Sequence, residues 1–275
     1  MWFWALNHAV IEGNIYKEAL ETDIKMGVID KTLEFLPKPV SRQIYAILVK
    51  MFFLVNFRRL KRFYSQFISP GDLVFDVGAN VGNITSVFLK LGARVVSVDP
   101  QPSCVRKLKS RFGRNSQVTV VAEGVSDRAG KLDFHVCEKR SGISTFSDRW
   151  TKGRFSNQEW GKKISVNVTT LDLLIKKYRA PRFCKIDVEG FELKVLKGLK
   201  EKIRFISFEF DRAEFEDARN CVNQLSSSFN VRFNYSLFNR FELESGDWLS
   251  ADDVMAQLTR IKGSELYGDI YARIE

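Results

Sequence analysis

Two groups of carboxylates in this 275-residue chain stand beside glycines at spacings that suit chemistry. The first is Asp76-x-Gly78-x-x-x-Gly82, with Asp99 following at the end of VVSVD; the second is Lys185-x-Asp187-x-Glu189-Gly190. An acid closing one strand and another closing the next describe a cradle for an adenosine-containing cofactor, the second acid reaching ribose hydroxyls. Gly78 and Gly82 would let the backbone approach a ligand with no Cβ in the way. The nicotinamide fingerprint G-x-G-x-x-G instead brings backbone N–H groups and a helix N-terminus to a pyrophosphate. The spacing here differs, and Asp76 would oppose a pyrophosphate while favouring a cationic amine. S-adenosylmethionine carries an amino group and a sulfonium and no phosphate, so it matches the charge of this turn. Asn80 and Asn83 can orient the turn or touch the ligand's carboxylate end.

The second group suits proton removal. Two neighbouring carboxylates raise one another's pKa, which leaves Asp187 or Glu189 as a general base near neutral pH. Lys185 would point to the same side of a strand as Asp187, holding it ionised or meeting an anionic substrate. Gly190 would let an acceptor come close. A magnesium ion shared by Asp187, Glu189 and Glu209 is a further use of these acids, since hard cations take oxygen ligands. Hydrogen-bond anchoring is the commoner role of acids at strand ends, and no metal ligand is assigned. His135 on an edge strand and His8 near the start read as surface or core histidines.

These residues need strands and helices in alternation. Leu73–Val77, Arg94–Val98 and Val118–Ala122 read as strands, with helices at Asn83–Leu91 and Ser103–Phe112 between them. Continuous Val/Ile runs indicate parallel strands buried on both faces. SDRAGKLDFHV reads as a turn and an edge strand, and SVNVTTLDLLIKKY as a short strand entering a helix. Phe183–Gly190 is a fourth buried strand that carries the acids, with a helix at Phe191–Leu199, and Ile203–Phe210 is a fifth. Helices near Ala213–Ser226 and Asp252–Ile261, a strand near Val231–Tyr235 and a closing DIYARI strand complete the pattern. The expected fold is α/β, a doubly wound, mostly parallel seven-stranded sheet of Rossmann-like type, whose ligands sit beyond the strand C-termini. Ser69-Pro70-Gly71-Asp72 marks its start, so residues 1–68 are expected as a helical appendage and 69–275 as the cofactor domain.

The segments FDVGANVG, VSVDP, KIDVEGFELKVLKG and ISFEF resemble the FkbM-type methyltransferases, class I enzymes that use S-adenosylmethionine and often methylate sugar or polyketide hydroxyls. The resemblance spans about residues 69–210 and reaches more faintly to DIYARI. It implies that Asp187 and Glu189 line the active site, and that Ser144 and Thr145 in SGISTFS belong to a loop over it. The resulting expectation is an O-methyltransferase acting on a saccharide or related metabolite. An RNA methyltransferase, a nicotinamide oxidoreductase and a methyltransferase fold kept only for binding are the rivals.

Composition bears on partners. The net charge is +10, and Lys139, Arg140, Arg149, Lys152, Arg154, Lys162 and Lys163 crowd one region together with Trp150, Phe155 and Trp160. Cations among aromatics suit a sugar stacked on a ring and attached to a phosphate or a lipid-linked carrier, or else a solvated basic loop. No DNA partner is expected. The apolar stretch Ile44–Phe57 is too short to span a bilayer. With its basic end it reads as a helix packed on the domain or at a dimer interface, or lying on an anionic membrane surface. Four dispersed cysteines and the absence of a signal-peptide pattern point to buried thiols in the cytoplasm, peripheral to a membrane at most.

Overall fold

The computed structural model describes residues 56–153, 155–238, 240–263 and 266–275. His8, Arg154 and most of the apolar stretch Ile44–Phe57 lie outside these residues. Residues Lys61–Glu275 make one compact unit.

Strands β1 (Leu73–Val77), β2 (Arg94–Val98) and β3 (Val118–Val121) alternate with helices α1 (Asn83–Lys90) and α2 (Pro102–Phe112). An excursion follows, containing β4 (Gly124–Val125), β5 (Gly130–Phe134), α3 (Asp148–Lys152) and β6 (Ile164–Thr169). Helix α4 (Leu171–Tyr178) returns the chain to β7 (Phe183–Ile186), α5 (Glu192–Lys197) and β8 (Phe205–Asp211). Helix α6 (Phe215–Ser228), β9 (Val231–Leu237), α7 (Ala251–Arg260) and β10 (Tyr267–Ile274) close the fold. The local chemistry is consistent with these ends. Ser147, Thr170 and Ser250 accept hydrogen bonds from the first turns of α3, α4 and α7, satisfying N–H groups that no helix carbonyl can reach.

The main sheet has seven strands in the order β3-β2-β1-β7-β8-β10-β9, with β10 antiparallel to both neighbours. The order reverses between β1 and β7, the place where open α/β sheets bind ligands. β1 and β7 are apolar and buried along almost their whole length, as strands covered on both faces must be. The expected seven-stranded α/β sheet is therefore present. One feature differs from the sequence reading: β5 and β6 join β4 in a separate three-stranded sheet, ordered β4-β6-β5. A second difference is the length of the acid-bearing strand. β7 stops at Ile186, because Glu189 and Gly190 have φ of 57° and 84°, outside any strand conformation.

Strand register sets one polar row inside the sheet. Ser97 pairs with Asp76, Asp76 with Lys185, Lys185 with Ser207, and Ser207 with Tyr271. Paired residues share a face, so these polar groups line up on one side. Tyr64 and Phe67 belong to the same neighbourhood. Phe67 stacks on Tyr271 at 5.3 Å and on Phe183 at 5.5 Å, while Tyr64 meets Phe88 edge-on at 5.0 Å. The catalytic unit thus includes aromatic residues preceding the Ser-Pro-Gly turn. Phe67→Ala is expected to cost about 3–5 kcal/mol, read as a lower midpoint in urea unfolding with an unchanged slope.

Candidate active site

The C-terminal ends of β1, β2, β7 and β8 meet at one edge, and each sequence-predicted site residue lies on or just beyond them. The β1 turn is closed by its own backbone. Gly78 and Ala79 donate to the Val98 carbonyl at 2.9 and 3.0 Å, Asn80 N–H to Asp99 at 2.8 Å, and Gly82 to Ala79 at 2.8 Å. Those four N–H groups are engaged inside the protein. None of the four is available to a pyrophosphate.

Gly78 and Gly82 are needed for packing. A Cβ on Gly78, at φ 81°, would stand 1.8 Å from the Asp187 carbonyl oxygen, and one on Gly82 would meet the Phe112 ring at 2.4 Å. The first contact brings β1 and β7 together at the reversal point; the second seats the turn on α2. Gly190 needs the same correction. Its missing Cβ makes room for Trp150, which would lie 2.7 Å away, rather than for an acceptor.

Asp76 is buried beneath the turn. It accepts from Thr85 at 2.6 Å, and Thr85 touches Ser97 at 2.9 Å. Burial pushes the Asp76 carboxyl above its ordinary value. Asp99 uses one oxygen for Asn80 N–H and the other for Gln101 N–H, both at 2.8 Å. Burial raises it to about 7 in spite of those bonds. The Asn80 side chain accepts from Ser141 at 3.1 Å and from Cys104 at 3.2 Å. Asn83 accepts from Arg111 at 3.2 Å, and Arg111 also bonds the Val81 carbonyl and Ser86. Both asparagines thus orient the turn. Acids around amides that are already engaged suit a cationic donor with a ribose, so these residues fit S-adenosylmethionine.

The second group converges as the sequence suggested, by a different route. Carboxylate oxygens of Asp187, Glu189 and Glu209 lie within 4.8 Å of one another. Glu189 reaches the cluster from a left-handed turn whose carbonyl accepts from Thr145 at 2.7 Å. Lys185 Nζ donates to Asp187 at 2.6 Å with only 8% of its side chain exposed. Burial works against the ammonium, but Asp187 and Asp269 hold it protonated. Burial likewise opposes charge on Asp187, and Lys185 reverses that, keeping the carboxyl below its ordinary value. Burial, then Glu189 and Asp187, push Glu209 well up. The raised acid is therefore Glu209, where an Asp187–Glu189 pair had been expected to share the effect. Asp269 and Tyr64 act on Lys185, and Tyr271 bonds Asp269; in the sequence the one local signal of this group is the acid in the closing DIYARI strand.

The excursion holds this edge from outside. Ser144 accepts from Cys137 N–H at 3.0 Å, while Thr145 holds Glu189. Trp150 and Phe155 form a small core with Cys137 and Ile143, so these two rings are not open for stacking. Lys139, Arg149 and Lys163 pair with Glu159, Asp217 and Asp148. His135 is buried and bonds Asp148 at 2.6 Å. All four cysteines are free and buried.

Comparison with known proteins agrees with this geometry. The Methyltransferase FkbM domain matches residues 76–239. The chain is similar to the 2-O-methyltransferase NoeI of Sinorhizobium fredii, 27% identical over 164 residues, 54% of this chain and 68% of NoeI. It is similar to the hexuronic acid methyltransferase AglP of Haloferax volcanii, 25% identical over 141 residues, 50% of this chain and 54% of AglP. A shorter stretch of 72 residues is 31% identical to a probable ribosomal RNA small subunit methyltransferase A of Methanosarcina acetivorans, covering 26% of this chain and 25% of that one.

Glu192 gives this edge a pH signature. Burial raises its carboxyl to about 7, although Val188 N–H donates to it at 3.1 Å. The folded chain keeps that proton to about pH 7, whereas the unfolded chain loses it in the ordinary carboxylate range. Stability from this group is present at acid pH and is lost as pH rises toward 7. Glu192→Gln keeps the acceptor and removes the titration. Its melting temperature relative to wild type should rise between about pH 5 and pH 8; parallel curves would exclude a protonated Glu192.

Proposed function

Since this chain belongs to the FkbM methyltransferase family and uses S-adenosylmethionine, we propose that the hydroxyl it methylates sits on a saccharide or a related small metabolite. The observation that carries this reading is the convergence of Asp187, Glu189 and Glu209 within 4.8 Å at the edge where the cofactor turn ends. One relative is a 2-O-methyltransferase and another a hexuronic acid methyltransferase. An anionic, phosphate- or lipid-linked acceptor is part of this proposal; Lys139, Arg149 and Lys163 of the basic excursion are already paired and would not contact it without breaking those pairs. Among the described residues no helix is long and apolar enough to cross a membrane. Peripheral contact through the N-terminal segment and self-association are further parts of this proposal, which includes no DNA.

When bound, S-adenosylmethionine supplies an electrophilic methyl group on a sulfonium. Asp99 would hold its ribose hydroxyls through lone pairs that the Asn80 and Gln101 amides leave open. Asp187, on the neighbouring strand end, would set a negative field for its cationic end, above the buried Asp76. Asp187, kept ionised by Lys185, takes the acceptor proton. A carboxylate of low pKa suffices there, because an alcohol oxygen becomes strongly acidic as its new bond to carbon forms. Glu209 in its neutral form donates to Asp187, and Glu189 orients the acceptor. RNA is the second reading, favoured by the 72-residue match to a ribosomal RNA enzyme.

Asp187→Asn should lower kcat by about a hundredfold or more with cofactor affinity nearly unchanged. Asp99→Ala should weaken cofactor binding about tenfold. Isothermal titration and single-turnover kinetics separate the two, and equal loss of affinity in both would remove these roles. The acceptor class is tested by incubating cell extracts with enzyme and deuterated methyl donor. Labelled methyl is expected in a saccharide fraction by mass spectrometry; label confined to RNA would replace the proposal.

A further inference from the structure

The opposite edge of the sheet carries a groove that methyl transfer does not use. It encloses about 560 Å³ and is lined by Arg94, Arg179, Arg182, Lys202 and Arg204 at the starts of strands and the end of α4. Its acids are Asp72 and Glu275, and both have partners. Asp72 accepts from Ser69 N–H at 2.8 Å, and Glu275 meets Asn230 and Arg273. Lys202 Nζ donates to the Glu275 carbonyl at 2.9 Å and Arg204 to the Ile274 carbonyl at 2.8 Å, whereas among the described residues the guanidiniums of Arg94, Arg179 and Arg182 meet no carboxylate.

The cations stand on a rigid frame. Arg94 N–H donates to Asp72 at 2.8 Å, Arg182 N–H to Leu73 at 2.7 Å, Phe205 N–H to Arg182 at 3.1 Å, and Ile274 N–H to Arg204 at 3.0 Å. This ladder sets Arg182 and Arg204 on adjacent strands, about 5 Å apart along the sheet. Arg179 has φ 81°, a conformation that arginine rarely adopts, at the corner leading to Arg182. A cation there also answers the carbonyl end of α4, but Arg94 and Arg182 stand at the starts of strands and have no such duty.

We infer that this groove binds a compact anion bearing more than one phosphate. The Arg94, Arg179 and Arg182 guanidiniums lining one concave site suit phosphoryl oxygens in charge and in the geometry of their donor forks. Single-stranded RNA fits less well. The Phe205 ring is covered by Arg182 at 5.2 Å and by Arg204 at 5.7 Å, so it offers no face for a base. The anion could be a soluble oligophosphate or the headgroup of a polyphosphorylated lipid.

The test is calorimetric titration of the full chain, saturated with S-adenosylmethionine, with pyrophosphate. Binding is expected, weakened about tenfold or more in Arg94→Glu/Arg182→Glu. It should be nearly unchanged in Lys109→Glu/Lys131→Glu, which alters charge equally on surfaces outside the groove. Retained cofactor affinity shows that the variants are folded. Vesicles with and without a phosphoinositide distinguish the sources: vesicle binding that pyrophosphate displaces indicates a lipid headgroup, and pyrophosphate binding alone a soluble one. No binding of pyrophosphate, equal loss in both variants, or binding of RNA or vesicles without pyrophosphate binding would overturn the inference. Failure here leaves the methyl-transfer reading untouched, because the two edges share no residue.

Discussion

A protonated lysine inside the sheet face governs the arrangement of the catalytic edge. Lys185 has 8% of its side chain exposed and pairs with Asp187 at 2.6 Å. An ammonium placed there alone would lose its proton, because burial removes water without replacing it. Asp187 and Asp269 supply the replacement. The dependence runs in both directions. Asp187 stays ionised because of Lys185, and with that charge in place Glu209 keeps its proton. Acids that would all repel one another as anions thus divide into a charged and a neutral group, the pattern by which neighbouring carboxylates acquire different roles.

Backbone geometry brings this cluster to the cofactor turn. The Asp187 carbonyl occupies the place of a Gly78 side chain, so the turn after β1 and the acids after β7 share one junction. Any residue larger than glycine would push these strand ends apart. The same tightness engages the turn's amides with Val98, Asp99 and Ala79. Charge is then what these positions of the turn offer a ligand.

The excursion between β3 and β7 contributes from outside the sheet. Ser141 reaches the Asn80 side chain and Thr145 the Glu189 carbonyl. The segment between β5 and α3 therefore touches both the cofactor turn and the acid cluster. The excursion's own core of Cys137, Ile143, Trp150 and Phe155 gives those contacts a firm base.

Much of the plan was legible in the residues themselves. Asp76, Gly78, Gly82 and Asp99 stand in a short strand–turn–helix–strand unit, whose buried Val-rich strands and glycine punctuation are local properties. Asp187 and Glu189 were recognisable for a similar reason, as acids ending a buried run. What those residues do to one another was not local. Strand register aligns Lys185 with Asp76 and Ser207, and Glu209 with Asp269, across separations of many residues. The left-handed turn at Glu189 and the Thr145 bond that holds it depend on how the excursion folds back. Composition and spacing determined the fold class and the kind of ligand, because periodicity and charge act within a few residues. Tertiary structure alone decided which carboxylate carries the proton, because desolvation and Coulomb interaction depend on distances that only packing sets.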